Sequence, residues 1–306
     1  MDQTGIRIRR RGAAAAGVLL LLIICGLLLL GPGRKQENES PGGPEITVLA
    51  PGGELRRLPL EEFLTGVVAA EMPASFQPAA LSAQAAAART YILAALAGGG
   101  RHGEAAVCCD PGCCQAWRDP AELAPAAREK IESAVAATRG QALYYQGELA
   151  ETPFCSCCGG RTESAAAVWG GERPWLAGVK CGYCGHAPRF CSCRSFPLAE
   201  AASRLGASPA ELRQMKLLGL TAGGRVEAVE LGERRLTGPE VRAALDLPSA
   251  AFTWLVLEDV LLVANLGFGH GVGLCQYGAD GLARAGFSWP EILTRYYPGC
   301  ELETTY

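Results

Sequence analysis

The spacing of hydrophobic positions changes along the chain, and each spacing predicts a different element. Residues 13–30 form an uncharged, mostly aliphatic run, residues 46–49 are largely apolar, and apolar residues recur every three to four positions in 60–72. We predict a membrane-spanning helix, a strand and an amphipathic helix, in that order. A proline closes the third segment, and another opens a second helix predicted at 78–96.

The later part of the chain mixes both periodicities. Residues 142–179 look rich in strands, and 196–262 combine two helical stretches with hairpin-like strands, which indicates a possible inserted subdomain. A glycine-rich loop at 267–273 precedes two short helices that end near residue 299. Because strands and helices do not alternate regularly, the fold class that we predict is α+β.

The N-terminal segment predicts export. Eighteen helical residues from 13 to 30 would span about 27 Å, close to a hydrocarbon core of about 30 Å. Four arginines in residues 1–12 outnumber the two basic residues just after the span, so we expect residues 1–12 in the cytoplasm and the folded part outside. Residues 31–45 read as a linker. A cleaved signal peptide is the alternative, and it also exports the folded part.

Composition narrows the classes of function. The formal net charge of −3 and the lack of a basic face argue against nucleic acid as a partner. The hydrophobic fraction of 49% is enough for a sizeable core. The fourteen cysteines are strongly clustered, and such clusters fit local metal sites at least as well as long-range disulfides.

Glu71 is the candidate catalytic residue. It continues the apolar stripe of Leu64 and Val68 at helical spacing and lies in the last turn of its helix, just before Pro73. Partial burial and the negative end of the helix dipole would both raise its pKa, as a general acid near neutral pH requires. A surface or capping glutamate is the alternative.

The next helix carries three large polar residues among its alanines, Gln84, Arg89 and Tyr91. Arg89 would orient a carboxylate or a substrate oxygen, or it would form a structural salt bridge. The alanine-rich surface itself suits a buried central helix.

The glycine-rich loop at 267–273 has a glycine at every second position and one histidine, His270. Its spacing does not match a dinucleotide fingerprint. His270 is either a polar site residue or a core histidine. Gln276 and Tyr277 follow the loop and suit hydrogen bonding to a sugar and stacking against it.

Six motifs together strongly resemble the stage II sporulation protein D family, whose domain is shared with an amidase-enhancer protein. The resemblance covers about residues 46–301, and the first and last motifs are highly specific. The matching segments, in order, are residues 62–76, 80–91, 159–163, 168–170, 269–279 and 292–299.

The resemblance implies a membrane-anchored lytic transglycosylase with Glu71 as its acid and residues 46–301 as its catalytic domain. Its substrate would be peptidoglycan glycan strands stripped of stem peptides, cut between N-acetylmuramic acid and N-acetylglucosamine to give 1,6-anhydro ends. It would act in septal wall remodelling during engulfment, with an engulfment membrane protein and a cell-wall amidase-endopeptidase as partners. Ser156 and Thr162 match the family and are expected to line the cleft.

Two cysteine clusters are candidate metal sites. His102, Cys108 and Cys114 have a spacing that some members of the family use for zinc, with water, Cys109 or Cys113 as the fourth ligand. Such a zinc would be structural and the chemistry would not need it. The second cluster has Cys158, Cys181 and Cys184 together with Cys191 or Cys193, and it would hold either a metal or disulfides.

Three points stay open. Cys155 stands where relatives often have histidine and Cys275 where they usually have serine, so substrate preference could differ. A glycan-binding activator of a cell-wall amidase is the second hypothesis. A thiol redox or metal-storage protein is the third hypothesis. It ranks last, because it explains the cysteines but none of the other motifs.

Overall fold

The computed structural model describes residues 43–306. The predicted membrane helix at 13–30 lies outside the described residues, as does most of the predicted linker. Within residues 43–306 no helix is both long and apolar enough to cross a membrane. Helices and strands follow one another in no regular order, and the strands form several small sheets. This confirms the α+β class.

The described helices are α1 (Leu60–Glu71), α2 (Pro78–Ala97), α3 (Pro125–Ala136), α4 (Ala165–Trp169), α5 (Leu198–Arg204), α6 (Pro209–Arg213), α7 (Gly238–Ala244), α8 (Gln276–Arg284) and α9 (Trp289–Tyr296). The described strands are β1 (Glu45–Leu49), β2 (Leu55–Pro59), β3 (Val107–Cys108), β4 (Gln141–Tyr145), β5 (Glu148–Leu149), β6 (Phe154–Cys155), β7 (Cys191–Pro197), β8 (Lys216–Leu220), β9 (Val226–Leu231), β10 (Arg234–Thr237), β11 (Phe252–Leu257), β12 (Val260–Leu266), β13 (Leu274–Cys275) and β14 (Glu301–Thr304).

Helix α2 is the centre of the main core. Its residues 80–90 are all buried, and it packs against α1, α3, α8, α9 and strand β4. Alanine side chains let these neighbours approach from every side, since they add little width to the helix. The observed bounds of α1 and α2 differ from the predicted ones by one residue. Helix α3 was not predicted from the sequence.

A second apolar core lies within residues 196–263. It includes Phe196, Leu212, Val229 and Leu261, which are all buried. Two antiparallel three-stranded sheets, β10-β9-β8 and β11-β12-β7, surround it together with α5, α6 and α7. The predicted inserted subdomain, residues 196–262, contains all of these core residues except Val263.

Two short parallel strands connect the C-terminal part of the chain to the main core. Strand β13 pairs with β6, with Leu274 opposite Phe154 and Cys275 opposite Cys155. Helix α8 begins directly after β13 and packs on α2. The first residues of α8 are therefore placed beside the end of α1, where the candidate site lies.

Candidate active site and two cysteine groups

Glu71 is the last residue of α1, and both of its carboxylate oxygens accept hydrogen bonds. The backbone N–H of Ala116 donates to Oε1 at 2.8 Å, and the side-chain amide of Gln276 donates to Oε2 at 3.1 Å. Burial raises the pKa of Glu71, and it outweighs the opposing effect of the two hydrogen bonds. This carboxyl group therefore keeps its proton to higher pH than an exposed glutamate does.

The loop that carries Ala116 lies directly on α1. A Cβ atom at Gly66 would come within 2.1 Å of the Trp117 indole nitrogen, so only glycine allows this approach. The Trp117 ring stacks on Phe63 at 6.4 Å, and the N–H of Arg118 donates to the Gly66 carbonyl at 3.1 Å. These contacts hold the Ala116 N–H in place beside Glu71.

Glu71 opens into a cleft of about 640 Å³. Four of the predicted substrate-binding residues line it: Tyr91, Ser156, His270 and Gln276. The cleft therefore combines one carboxyl group of raised pKa with aromatic and polar side chains, which is the usual make-up of a small-molecule or glycan site.

His270 is held as a neutral hydrogen-bonding residue. Its Nε2 lies 2.9 Å from the Phe154 carbonyl and must donate there, while its Nδ1 accepts from the Val272 N–H at 3.1 Å. Burial lowers the pKa of His270 to about 4. The ring also packs against Trp169, with the ring centres 5.0 Å apart. His270 thus shapes the cleft and does not supply a proton near neutral pH.

Of the two interpretations of Arg89, substrate binding and a structural salt bridge, the fold contains the salt bridge. Arg89 is completely buried and makes two hydrogen bonds to Glu61, at 2.8 and 2.7 Å. The Thr138 hydroxyl and the Gln141 carbonyl accept from another nitrogen of the guanidinium, each at 3.2 Å. The guanidinium therefore joins α1 to α2 and to β4, and the cleft lining does not include it.

Three further predicted residues also lie outside the cleft lining. Gln84 is buried and accepts from the Gln276 amide at 3.4 Å, so it supports a cleft residue. Thr162 is buried, and its hydroxyl accepts from the Val179 N–H at 2.7 Å. Tyr277 packs edge-on against Phe76, because α8 turns the side chain after Gln276 to another face.

The sequence did not single out four groups at this site. Ala116 acts through its backbone, which leaves no signal in residue type. Arg101 and Arg173 line the cleft on either side of Glu151, and both form ion pairs with it. The Arg101 guanidinium also lies 4.8 Å from the centre of the Tyr91 ring. Two arginines and the Glu151 carboxylate therefore face the cleft near Tyr91.

The first cysteine group contains His102, Cys108, Cys113 and Cys114, whose ligand atoms all lie within 4.8 Å of one another. His102 Nε2 lies 3.3 Å from the Cys114 sulfur and 3.5 Å from that of Cys113. The two sulfurs are 3.9 Å apart. Ligands on a tetrahedral zinc ion are about 3.6–3.8 Å apart, so this donor set fits zinc. Of the alternatives for the fourth ligand, Cys113 is the one within the group.

The second cysteine group contains Cys158, Cys181, Cys184 and Cys275, again with all ligand atoms within 4.8 Å of one another. Cys275 takes the place in which the sequence suggested Cys191 or Cys193, and both of those cysteines are exposed on β7. Cys191 pairs with Leu266 at the end of β7, an outer strand of its sheet, and is exposed there. The parallel pairing of β13 with β6 instead brings Cys275 to the group.

Comparison with known proteins finds chains of similar sequence. Residues 53–145 match the family model described as stage II sporulation protein. The chain is 35% identical to stage II sporulation protein D of Bacillus subtilis over 258 residues, which is 81% of this chain and 75% of that protein. Identity to the protein of the same name from Bacillus amyloliquefaciens is 33% over the same shares.

A more distant similarity extends to the amidase enhancer of Bacillus subtilis. Identity is 25% over 298 residues, which is 79% of this chain and 40% of that protein. The two similarities at 33–35% identity cover most of each chain and include the segment with Glu71. This chain therefore belongs to the stage II sporulation protein D family.

Proposed function

We propose that this protein is a lytic transglycosylase with Glu71 as its catalytic acid. The observation that carries the proposal is the Glu71 carboxyl group, which lies in an open cleft, has a pKa raised by burial and accepts two fixed hydrogen bonds. The substrate class is peptidoglycan glycan strands without stem peptides, and the products have 1,6-anhydromuramic ends.

The reaction needs two proton transfers, and Glu71 makes both. Protonated Glu71 gives its proton to the glycosidic oxygen as the bond from that oxygen to the anomeric carbon of muramic acid breaks. The Glu71 carboxylate then takes a proton from the muramic 6-hydroxyl as its oxygen attacks the anomeric carbon. The ring closes, Glu71 is protonated again, and no water enters the product.

The hydrogen bonds from Ala116 and Gln276 serve the carboxylate that exists between the two transfers. N–H donors stabilise this anion, and they also fix the direction of its lone pairs. One carboxyl group therefore suffices. Glu151 is the other carboxylate in the cleft, and it is engaged in ion pairs with Arg101 and Arg173, which suits a structural role better than that of an acid.

The charge of the cleft supports a stripped glycan strand as the substrate. Each N-acetylmuramic acid without a stem peptide carries a free lactyl carboxylate. While Glu71 is protonated, Arg101 and Arg173 exceed Glu151 by one positive charge, which favours an anionic strand. The Tyr91, Trp169 and Phe268 rings line the same cleft and offer flat surfaces for sugar rings.

The His102 group is proposed as a structural zinc site, with Cys108, Cys113 and Cys114 as the other ligands. Zinc would cross-link the two ends of the segment that leads to Ala116, and thereby hold the hydrogen-bond donor to Glu71 Oε1. No step of the reaction passes through this metal.

The cellular setting is also part of the proposal. Residues 13–30 would anchor the chain in the cell membrane, with residues 1–12 in the cytoplasm and residues 46–301 as the catalytic domain outside, at the septal or engulfing membrane. An engulfment membrane protein and a cell-wall amidase-endopeptidase would be its partners in wall remodelling.

A second candidate function rests on the similarity to the amidase enhancer. In that case the cleft binds glycan and the chain activates a cell-wall amidase without cutting the strand. The two functions differ in one observable, which is whether the glycan becomes shorter when this protein is the only one present.

The test is digestion of peptide-stripped glycan strands by the full chain, with products separated and weighed. We expect anhydromuramic ends from the native protein and from a Glu62→Gln control, since Glu62 is exposed on the same helix. Glu71→Gln should bind the strands without cutting them. Binding without cleavage by the native protein would favour the amidase activator, and products with reducing ends would mean hydrolysis.

A further inference from the structure

Four cysteine side chains from three separate segments meet in the main core. Cys158 follows β6, Cys181 and Cys184 lie on the loop before β7, and Cys275 ends β13. All four are at most 2% exposed. Within the described residues none of them forms a disulfide. Packing alone does not explain why four thiols from distant positions in the chain meet at one buried point.

The distances between the sulfur atoms match those around one metal ion. The sulfurs of Cys158 and Cys184 are 3.7 Å apart, and all four lie within 4.8 Å of one another. Four thiolates on a tetrahedral zinc ion, each at about 2.3 Å, are about 3.8 Å apart. In an iron–sulfur cluster four thiolates are divided among two or four iron atoms, so sulfurs on different irons lie further apart than these four do. The spacing therefore favours a single ion.

Hydrogen-bond donors point at the sulfur atoms of this group. The N–H groups of Cys158 and Gly278 lie 3.2 and 3.3 Å from the Cys275 sulfur, and the Tyr296 hydroxyl lies 3.1 Å from the Cys181 sulfur. Such donors stabilise thiolates that keep excess negative charge after binding a divalent ion. Hydrogen bonds of this kind commonly support the ligands of structural metal sites.

The local sequence leaves room for this group. A Cβ atom at Gly278 would lie 2.5 Å from the Cys181 sulfur and 2.1 Å from the Tyr296 hydroxyl oxygen. Any larger residue there would push both groups away. Glycine in the first turn of α8 is therefore required for the four sulfurs to meet beneath the helix.

We propose that Cys158, Cys181, Cys184 and Cys275 bind one zinc ion as four thiolate ligands, in a closed structural site separate from the His102 group. Four thiolates and no open position suit a structural zinc and leave no place for a substrate. This proposal stands whether or not the chain cuts glycan.

The site would fix the start of α8. Cys275 is the residue before α8, and Gln276, the first residue of the helix, donates to Glu71. Metal binding at Cys275 would hold this backbone against Cys158 and the loop at 181–184. Gln276 is then a positioning residue whose orientation depends on the metal.

The experiment uses the full chain, purified in mild detergent without oxygen and loaded with zinc alone. A His102→Ala/Cys114→Ser variant disables the first site and leaves the four buried cysteines intact, so their fold is not disturbed. We expect about two zinc ions per native chain and about one in this variant. X-ray absorption of the variant should show four sulfur neighbours at about 2.3 Å and no nitrogen.

Two further chains complete the comparison. Cys181→Ser/Cys184→Ser should lose one zinc relative to the native chain, while Cys300→Ala, which removes a buried cysteine outside both groups, should keep both. The proposal fails if the His102→Ala/Cys114→Ser variant holds no zinc, if its four thiols are found as disulfides by peptide mass, or if its metal is iron.

Discussion

Gln276 donates a hydrogen bond to Glu71 at 3.1 Å across 205 residues of chain. It directly follows Cys275, which belongs to one cysteine group, and the other donor, Ala116, comes two residues after Cys114, which belongs to the other. Each oxygen of Glu71 is therefore held from a segment that adjoins a cysteine group. Metal ions bound to the two groups would support the proposed chemistry without touching the substrate.

Removing the Gln276 donor should change the pH dependence of cleavage. The hydrogen bond lowers the pKa of Glu71, so Gln276→Leu should raise that pKa further. Because the acid must be protonated, the alkaline limb of kcat/KM should move to higher pH. The rate at the optimum should fall about tenfold, since the carboxylate loses one donor. A pH–rate series checks this, with exposed Gln214→Leu as the control. If the alkaline limb does not move, it reflects the titration of a group other than Glu71.

Replacing the acid should stabilise the fold at neutral and alkaline pH. Burial raises the folded-state pKa of Glu71, so its contribution to stability is fully present below about pH 4.5 and is lost as pH rises through the folded-state value. Glu71→Gln carries no charge to bury. Its free energy of unfolding should exceed that of the native chain at pH 8, and the difference should shrink at pH 4. Urea unfolding of both proteins at pH 8 and pH 4 measures these free energies. The same difference between variant and native chain at the two pH values would contradict the prediction.

Breaking the Arg89 ion pair should affect stability and spare the chemistry. Arg89→Met leaves Glu61 without its partner and should cost about 3–5 kcal/mol in the free energy of unfolding. Arg128→Met removes an exposed pair with Glu132 on α3 and should leave the free energy of unfolding nearly unchanged, because water screens that pair. Activity per folded molecule should be unchanged in both. A large rise in KM for folded Arg89→Met would instead show that Arg89 contributes to substrate binding.

Disabling the His102 group should slow cleavage indirectly. His102→Ala/Cys114→Ser should lose one zinc ion and lower kcat by about tenfold to a hundredfold, because a displaced Ala116 N–H no longer holds Glu71. Metal content and kcat are measured on the same sample, and Cys300→Ala is the control. An unchanged kcat after loss of the metal would show that this site does not position Glu71.

The sequence predicted well where local signals are strong. The bounds of α1 and α2 follow from apolar periodicity and from Pro73 and Pro78, and they agree to within one residue. Helix α3 was missed because its apolar stripe is short, with Ile131, Ala134 and Val135 as its only buried residues. A stripe of this size is hard to tell from a polar loop.

The site was harder to predict, because its parts depend on tertiary contacts. Glu71 lies at a helix end that the sequence marks, whereas Ala116 donates from its backbone. Cys275 reaches the second group through a strand pairing that no local pattern predicts. Arg89 allowed two interpretations, and only the position of Glu61 one helix away decides between them.

The central claim is that Glu71 catalyses cleavage without water, and the most direct test follows oxygen from the solvent. Peptide-stripped glycan is digested by the full chain in water enriched in ¹⁸O, and fresh products are weighed. Our account predicts anhydromuramic products without ¹⁸O and no products from Glu71→Gln. One ¹⁸O atom at each new reducing end would contradict it, because the bond would then have been cut by hydrolysis.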